Sequence, residues 1–288
     1  MRLNRYLLNE KTFNIKKDVD FIYKKSFKDI LDIINKHWMD FFMLSSVLYK
    51  RLGTKKWQNI IIDEFDTSLL KTKPAREAHL ANPAKIVVCI TDKGFFYRPA
   101  VSINAVLGKT DSLSLIQLSF HGLALDVVLK GDFSLVPEKQ RKWLKNEFGS
   151  DKVKASIAHE LSHWISDTKH NFHISKLLKT AHELSKPDIV LLHKKNVNMT
   201  YFEIDAFVHA IKQVRSAHRK KWDSYNIEDL FSLYPSLFQI ATELLRAYNK
   251  DVLDVWQKSL LKRLAREKLL GKGMKNFITP QAIRKLYF

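Results

Sequence analysis

The sequence predicts an α+β fold in which N-terminal helices precede a small mixed β-sheet and a helical C-terminal half. Short apolar runs punctuated by glycines lie between about residues 58 and 130. Before residue 58 and after Pro137, apolar residues recur instead at helical spacing. The 288 residues are 45% hydrophobic and 27% charged, which is typical of a folded chain with a sizeable core.

The first 57 residues are predicted to form a helical segment. An apolar and aromatic stripe runs from Phe21 to Leu52 at the spacing of helix faces. We therefore divide the chain into this segment, a core region and a C-terminal helical region, covering residues 1–57, 58–221 and 222–288.

Five short runs are predicted to be strands of one sheet, because they are rich in β-branched and aromatic residues and are bounded by turn residues. They cover residues 58–65, 85–92, 95–106, 113–120 and 123–129. The only cysteine, Cys89, lies in the second run, where we expect a buried structural thiol. A single cysteine excludes an internal disulfide framework and is consistent with a reducing compartment.

The C-terminal half is predicted to be helical. The helices are expected at residues 137–147, 151–167, 173–185, 201–221, 227–247 and 250–270. The stretch 257–275 is amphipathic and basic, a pattern found on membrane surfaces and on nucleic acid as well as in ordinary terminal helices packed by their leucines. We expect the leucine packing, and we expect the apolar tail after it to dock.

The net charge of +19 predicts a non-specific anionic partner, either nucleic acid or an acidic protein, although a lysine-rich source would explain the charge equally well. No nucleic-acid-binding motif is recognisable, so such binding would depend on bulk charge. The start of the chain is too polar for a signal peptide, and no apolar run approaches the ~20 residues of a membrane span. We therefore expect a cytoplasmic protein, or a virion-associated one if the chain is phage-encoded.

One pentapeptide predicts a metal site. His159-Glu160-Leu161-Ser162-His163 has the pattern H-E-x-x-H, and about 0.02 random matches are expected in a chain of this composition. Val153, Ile157, Leu161, Trp164 and Ile165 should form one apolar helix face, which places both histidines on roughly the opposite side. At spacing i, i+4 the two imidazoles can share one metal ion. The intervening carboxylate is then placed to take a proton from water.

A third ligand is predicted on a later helix. Glu203 falls on an apolar, core-facing stripe with Ala206, where a charge is expensive to bury unless it is paired or bound to metal. Asp205, His209 and Lys212 are expected to point the other way. His170 and His173 remain conceivable ligands, and a plain role at the helix N-terminus remains open for Glu203.

The H-E-x-x-H pair followed by a downstream E-x-x-A resembles the gluzincin branch of the zincin metallopeptidases, over about residues 153–217. The resemblance implies one zinc ion per chain held by His159, His163 and Glu203, with Glu160 as general base and Asp167 as a supporting residue. It also implies an endopeptidase acting on polypeptide, with an extended edge strand beside the metal, for which residues 113–120 and 95–103 are candidates. The chain departs from the family pattern at Phe202 and Phe207, where asparagine and aspartate often stand.

Oxyanion stabilisation requires a further donor, for which Tyr201, His209 and Tyr97 are candidates. His121 is expected to be a turn histidine. The alternative function is that of a basic structural or interaction protein with a retained or degenerate zinc site. Glu160 favours the enzyme, because a purely structural site would not need it.

Overall fold

The structure of the protein is a computed structural model that describes residues 13–37, 41–53, 60–91, 96–98, 114–121, 148–169, 197–234, 237, 240–242, 244–245, 250–274 and 276–282. The chain divides into two compact units, one of residues 14–169 and one of residues 1–13 with 170–288. The order of helices, mixed sheet and helices confirms the predicted α+β fold. The predicted helices at 137–147 and 173–185 lie outside the described residues.

Helices open the first unit as predicted. Helix α1 (Lys16–Ile22) continues through a π-helical turn (Tyr23–Phe27) into α2 (Lys28–Lys36), and α3 (Phe41–Leu52) follows. The apolar stripe of these helices is buried, at Val19, Ile22, Phe27, Ile30, Leu31, Ile34, Leu44 and Leu48. The helical spacing read from the sequence therefore marks a core-facing surface.

The sheet has four strands in the order β1-β2-β4-β3. Strands β1 (Ile60–Asp66) and β2 (Ala84–Thr91) pair antiparallel, with a register shift between Ile61 and Asp63. Strand β4 (Ser114–His121) pairs parallel with β2 and antiparallel with β3 (Phe96–Arg98). Four predicted strands are thus confirmed in one mixed sheet, and residues 99–106 and 123–129 lie outside the described residues. Cys89 is buried as expected, and burial raises the pKa of its thiol to about 11.

A helix that the sequence reasoning missed, α4 (Lys73–Ala81), connects β1 to β2. It begins after Thr72 with Pro74 in its first turn, a position where proline is tolerated, and it ends at Asn82. The buried Asn82 carbonyl accepts a hydrogen bond from the indole Nε1 of Trp164 at 2.9 Å, and its side chain accepts one from Ser114 Oγ at 2.8 Å. Asn82, which lies between α4 and β2, is therefore hydrogen-bonded both to β4 and to the helix that contains the pentapeptide.

Two carboxylates link the N-terminal helices to the rest of their unit. Asp18, 1% exposed, accepts hydrogen bonds from the backbone N–H of Lys71 at 2.7 Å and from Thr72. Asp63 on β1 accepts from Ser26 Oγ at 2.6 Å and from Lys25 Nζ at 2.7 Å. Burial acts to raise the pKa of Asp63, but these two hydrogen bonds outweigh it and hold the pKa below its ordinary value.

The second unit is built from α6 (Val197–Ala217), α7 (Ile227–Leu233) and α8 (Lys250–Arg266). Helix α8 ends four residues before the predicted boundary. The helix predicted at 227–247 is interrupted at Tyr234, and the described residues 237, 240–242 and 244–245 are again helical. Three leucines of the basic stretch 257–275 are buried as expected, Leu260, Leu264 and Leu269, whereas Leu261 and Leu270 are half-buried. The tail docks as far as it is described, because Gln257 exchanges hydrogen bonds with the backbone of the buried Ile278.

Helix α6 is buried on more sides than its sequence suggests. Asp205 accepts a hydrogen bond from Nε of the buried Arg263 at 2.6 Å, and Lys212 lies 3.1 Å from Glu267. His209 is 3% exposed and stacks on Phe13, with ring centroids 4.2 Å apart. Asp205, His209 and Lys212, which were predicted to point away from the Glu203 stripe, are thus paired or stacked within their own unit.

Across the described ranges, no helix is both long and apolar enough to cross a membrane.

Candidate metal centre

The pentapeptide lies in the middle of α5 (Ser150–Lys169), a 20-residue helix. The helix begins directly after Gly149, whose carbonyl accepts the backbone N–H of Val153 at 3.1 Å. Asp151 in the first turn places negative charge at the positive end of the helix dipole. The predicted helix at 151–167 is thus confirmed to within two residues at each end.

Helix α5 is buried on both its apolar and its polar sides. Val153, Ile157, Leu161, Trp164 and Ile165 are at most 5% exposed, as their spacing predicts. His159, Glu160 and His163 are also only 6–8% exposed, and Asp167 is fully buried. A solvated polar face is therefore excluded for this helix, and the polar side chains sit where an unpaired charge would be costly.

The two histidines of the pentapeptide face each other. Their Nε2 atoms are 2.9 Å apart, their ring centroids are 4.5 Å apart and their planes cross at 86°. In a neutral pair one Nε2–H donates to the lone pair of the other ring. Two nitrogen ligands of a tetrahedral zinc ion lie about 3.3 Å apart, given zinc–nitrogen distances of about 2.0–2.1 Å. The pair therefore needs only a small separation to accept a metal ion.

Glu203 joins this pair. It lies in the second turn of α6 and its side chain is half-buried. The ligand atoms of His159, His163 and Glu203, one per residue, all lie within 4.8 Å of one another. The three residues form a group that could hold a metal ion. Among the described residues, no other set of three histidine, cysteine or acidic side chains comes together in this way.

The donor set fits a divalent transition metal. Imidazole nitrogen suits zinc, copper, iron and nickel, whereas sites built for magnesium or calcium are dominated by oxygen ligands. Two imidazoles and one carboxylate also match the three protein ligands of many catalytic zinc sites, which leave one coordination position open.

The remaining predicted site residues occupy varied positions. Glu160 follows His159 directly and is buried, and Asp167 lies one turn after His163 on the same helix. Tyr201 lies on α6, two residues before Glu203, which places it about 200° away around the helix axis. His209 is six residues beyond Glu203, which rotates it by about 240° around the helix axis. Its ring stacks on Phe13, so the oxyanion role predicted for it gains no support from this contact.

The other histidines and tyrosine considered from the sequence are described in part. Tyr97 lies on β3, and His121 is the last residue of β4, not part of a turn. His170 and His173 lie outside the described residues, and Asp205 is engaged by Arg263.

Sequence reasoning gave no role to Ser162. Its hydroxyl is buried, and within the described part of the chain it has no hydrogen-bond partner. The sequence feature that could have identified Ser162 is its position inside the motif, adjacent to His163 and about one turn after His159.

Comparison with models of protein families, with curated proteins and with solved structures finds no match for this chain.

Proposed function

We propose that the protein is a zinc-dependent peptidase whose metal is held by His159, His163 and Glu203. The observation that carries the proposal is the convergence of these three side chains, whose ligand atoms lie within 4.8 Å of one another. The proposal takes one zinc ion per chain and a polypeptide substrate. A zinc ion held there supplies Lewis-acid polarisation of a peptide carbonyl and of the attacking water.

Glu160 is the proposed general base. As the neighbour of His159 on α5, it points about 100° away from that ligand around the helix axis and so does not compete for the same coordination position. Its carboxylate would accept a proton as water attacks the peptide carbonyl and then deliver that proton to the departing amine. The carboxylate returns to its starting state after each cycle, as a general acid–base catalyst must.

Asp167 is the proposed supporting residue. It is fully buried four residues after His163, so both side chains lie on one side of α5. Histidine ligands commonly donate their second ring N–H to a carboxylate or carbonyl, which fixes the ring orientation and its tautomer. Tyr201 gains no support as an oxyanion donor, because it stands two residues before Glu203 on α6 and residues at this spacing do not share a helix face.

Metal analysis tests the ligand set. Protein purified without added zinc is measured for bound metal as wild type, His163→Ala and Glu203→Gln, with His37→Ala as the control. His37 ends α2 and belongs to the same unit as the motif, so the control removes one imidazole without touching the proposed ligands. We expect about one zinc per chain in wild type and control and loss of tight binding in the other two variants, because removal of one of three protein ligands leaves too few donors.

The ligand assignment fails if Glu203→Gln retains wild-type zinc affinity, because a neutral amide is a much poorer zinc ligand than a carboxylate. The peptidase assignment is tested separately with casein or a peptide library, using a chelator to remove the metal. Zinc-loaded wild type that cleaves no peptide would indicate a structural metal site and would support the alternative of a basic interaction protein.

A further inference from the structure

Two basic stretches that are distant in sequence lie side by side in the second unit. One is residues 215–221 at the end of α6 and the other is residues 262–272 at the end of α8. The Arg215 guanidinium donates to the Lys268 carbonyl at 2.7 Å, and the indole Nε1 of the buried Trp222 donates to the Leu269 carbonyl at 2.8 Å. We name these stretches together the paired basic surface.

Glycines allow the close approach that joins the two stretches. A Cβ on Gly271 would lie 2.5 Å from the Trp222 carbonyl oxygen, and one on Gly273 would lie 2.7 Å from the Tyr225 carbonyl oxygen. These are backbone atoms that cannot swing aside. The geometry of the paired basic surface is therefore held by main-chain contacts, and it does not depend on flexible side chains alone.

The paired basic surface is almost free of compensating acid. Its two stretches contain nine lysines and arginines and one carboxylate, Glu267. Glu267 is already bound by the buried Arg263 and by Lys212. Six further cations are exposed, and none of them forms an ion pair with a residue in the described part of the chain: Arg219, Lys220, Lys221, Lys262, Lys268 and Lys272. Asp223 and Glu228 are the nearest exposed acids along the chain.

Lys268 occupies a conformation that lysine disfavours. Its φ is +56°, and it stands where helix α8 ends in a Schellman arrangement, with Leu269 N–H bonded to the Leu264 carbonyl and Lys268 N–H to the Ala265 carbonyl. Glycine is the usual residue at this position, because a side chain is strained there. A lysine at this site adds a cation to the surface at a cost in local stability, a combination typical of functional positions.

The surface chemistry favours one class of anionic partner. Among the described residues, none of the exposed large hydrophobic side chains belongs to either stretch, and Leu253, Leu260 and Leu264 of α8 are buried. Membrane-surface helices insert an apolar face, and protein interfaces bury an apolar core. The described residues of the two stretches expose neither an apolar helix face nor an apolar interface core. Contacts to a nucleic acid backbone are dominated by charge and need no apolar anchor.

We propose that the paired basic surface binds the phosphate backbone of nucleic acid without sequence specificity. This inference is independent of the proposed metal centre, because none of its residues belongs to that group.

The test is salt-dependent binding of a fluorescent DNA duplex of about 20 base pairs, in two unrelated sequences, at about 50–200 mM salt. The variants are Lys220→Ala with Lys221→Ala, and Lys268→Gly alone. The control is Lys17→Ala with Lys24→Ala, two exposed lysines of the other unit that form no ion pair with a described residue. Circular dichroism confirms that each variant is folded.

Each lost phosphate contact should weaken binding by about eightfold at 0.1 M salt and make the slope of log affinity against log salt less negative by about 0.9. The double variant should therefore lose up to about 60-fold and Lys268→Gly about eightfold, equally for both sequences. The control should change affinity by less than about twofold. Equal losses in the control, unchanged affinity in the variants, or binding of phosphatidylserine vesicles without binding of the duplex would each overturn the proposal.

Discussion

Replacement of Glu160 by glutamine separates the chemistry of the proposed centre from its architecture. The amide keeps the size and shape of the carboxylate at a position that is 6% exposed, so the change opens no cavity and should leave the fold intact. The amide cannot accept the proton of the attacking water. Loss of a general base typically lowers rates by about 10²–10⁴-fold, which is about 2.7–5.4 kcal/mol of transition-state stabilisation.

Metal binding supplies the second readout of this experiment. A ligand present at about 100 times its dissociation constant stabilises the folded state by about 2.7 kcal/mol, which corresponds to a rise of about 5–10 °C in the thermal midpoint for a unit of this size. Glu160→Gln should keep this zinc-dependent rise because it leaves the proposed ligands in place. His163→Ala should lose both the rise and the activity.

The assay follows casein cleavage and thermal unfolding on the same preparations, with and without a chelator. Full cleavage by Glu160→Gln would refute the role of this residue as base. Loss of the zinc-dependent rise in Glu160→Gln would refute the separation of roles, since Glu160 would then be a ligand or a support for one.

Four further outcomes are expected. Lys268→Gly should raise the free energy of unfolding by about 1 kcal/mol in urea titration, because glycine relieves the left-handed strain; a decrease would contradict this. Gly271→Ala should lower it by about 1–3 kcal/mol, since the new methyl would collide with the Trp222 carbonyl; an unchanged midpoint would be inconsistent with the close contact. Because the pKa of Asp63 is lower in the folded state, its stabilisation is complete above the ordinary value of 3.8 and is lost as pH falls below it. Acid titration of Asp63→Asn should accordingly show a shallower loss of stability below about pH 4 than wild type. Cys89 should resist a thiol reagent at pH 8 until denaturant is added, because it is buried and its pKa is about 11; rapid labelling of native protein would argue against this burial.

The local signals in the sequence located most elements to within a few residues. Strand β2 was read from its apolar β-branched run, and α5 from the three- and four-residue spacing around the pentapeptide. Helix α4 was missed because its nine residues carry only a proline in the first turn and a weak apolar pattern. The parallel pairing of β2 with β4 is a long-range arrangement that no local pattern encodes.

The burial of α5 shows a limit of reasoning from amphipathicity. A helix with one apolar face is expected to expose the other face, yet His159, Glu160 and His163 are all buried. The pattern of apolar and polar residues shows which helix face is polar. It does not show whether that face contacts solvent or other buried polar groups. The motif itself, together with the carboxylate Glu203 on an apolar stripe, was the more informative signal.

The parallel pairing of β2 with β4 also constrains how the first unit folds. Each residue of β2 pairs with a residue 30 positions later, from Ala84 with Ser114 to Thr91 with His121. Closing such loops must precede the contacts that stabilise them, so folding that depends on these pairings should be slower than that of a helical bundle of similar length. Trp164 donates to the Asn82 carbonyl across 82 residues, so the docking of α5 closes a still longer loop. Because longer loops cost more entropy to close, we expect a refolding chain to dock α5, and with it the two histidines, after its local helices have formed.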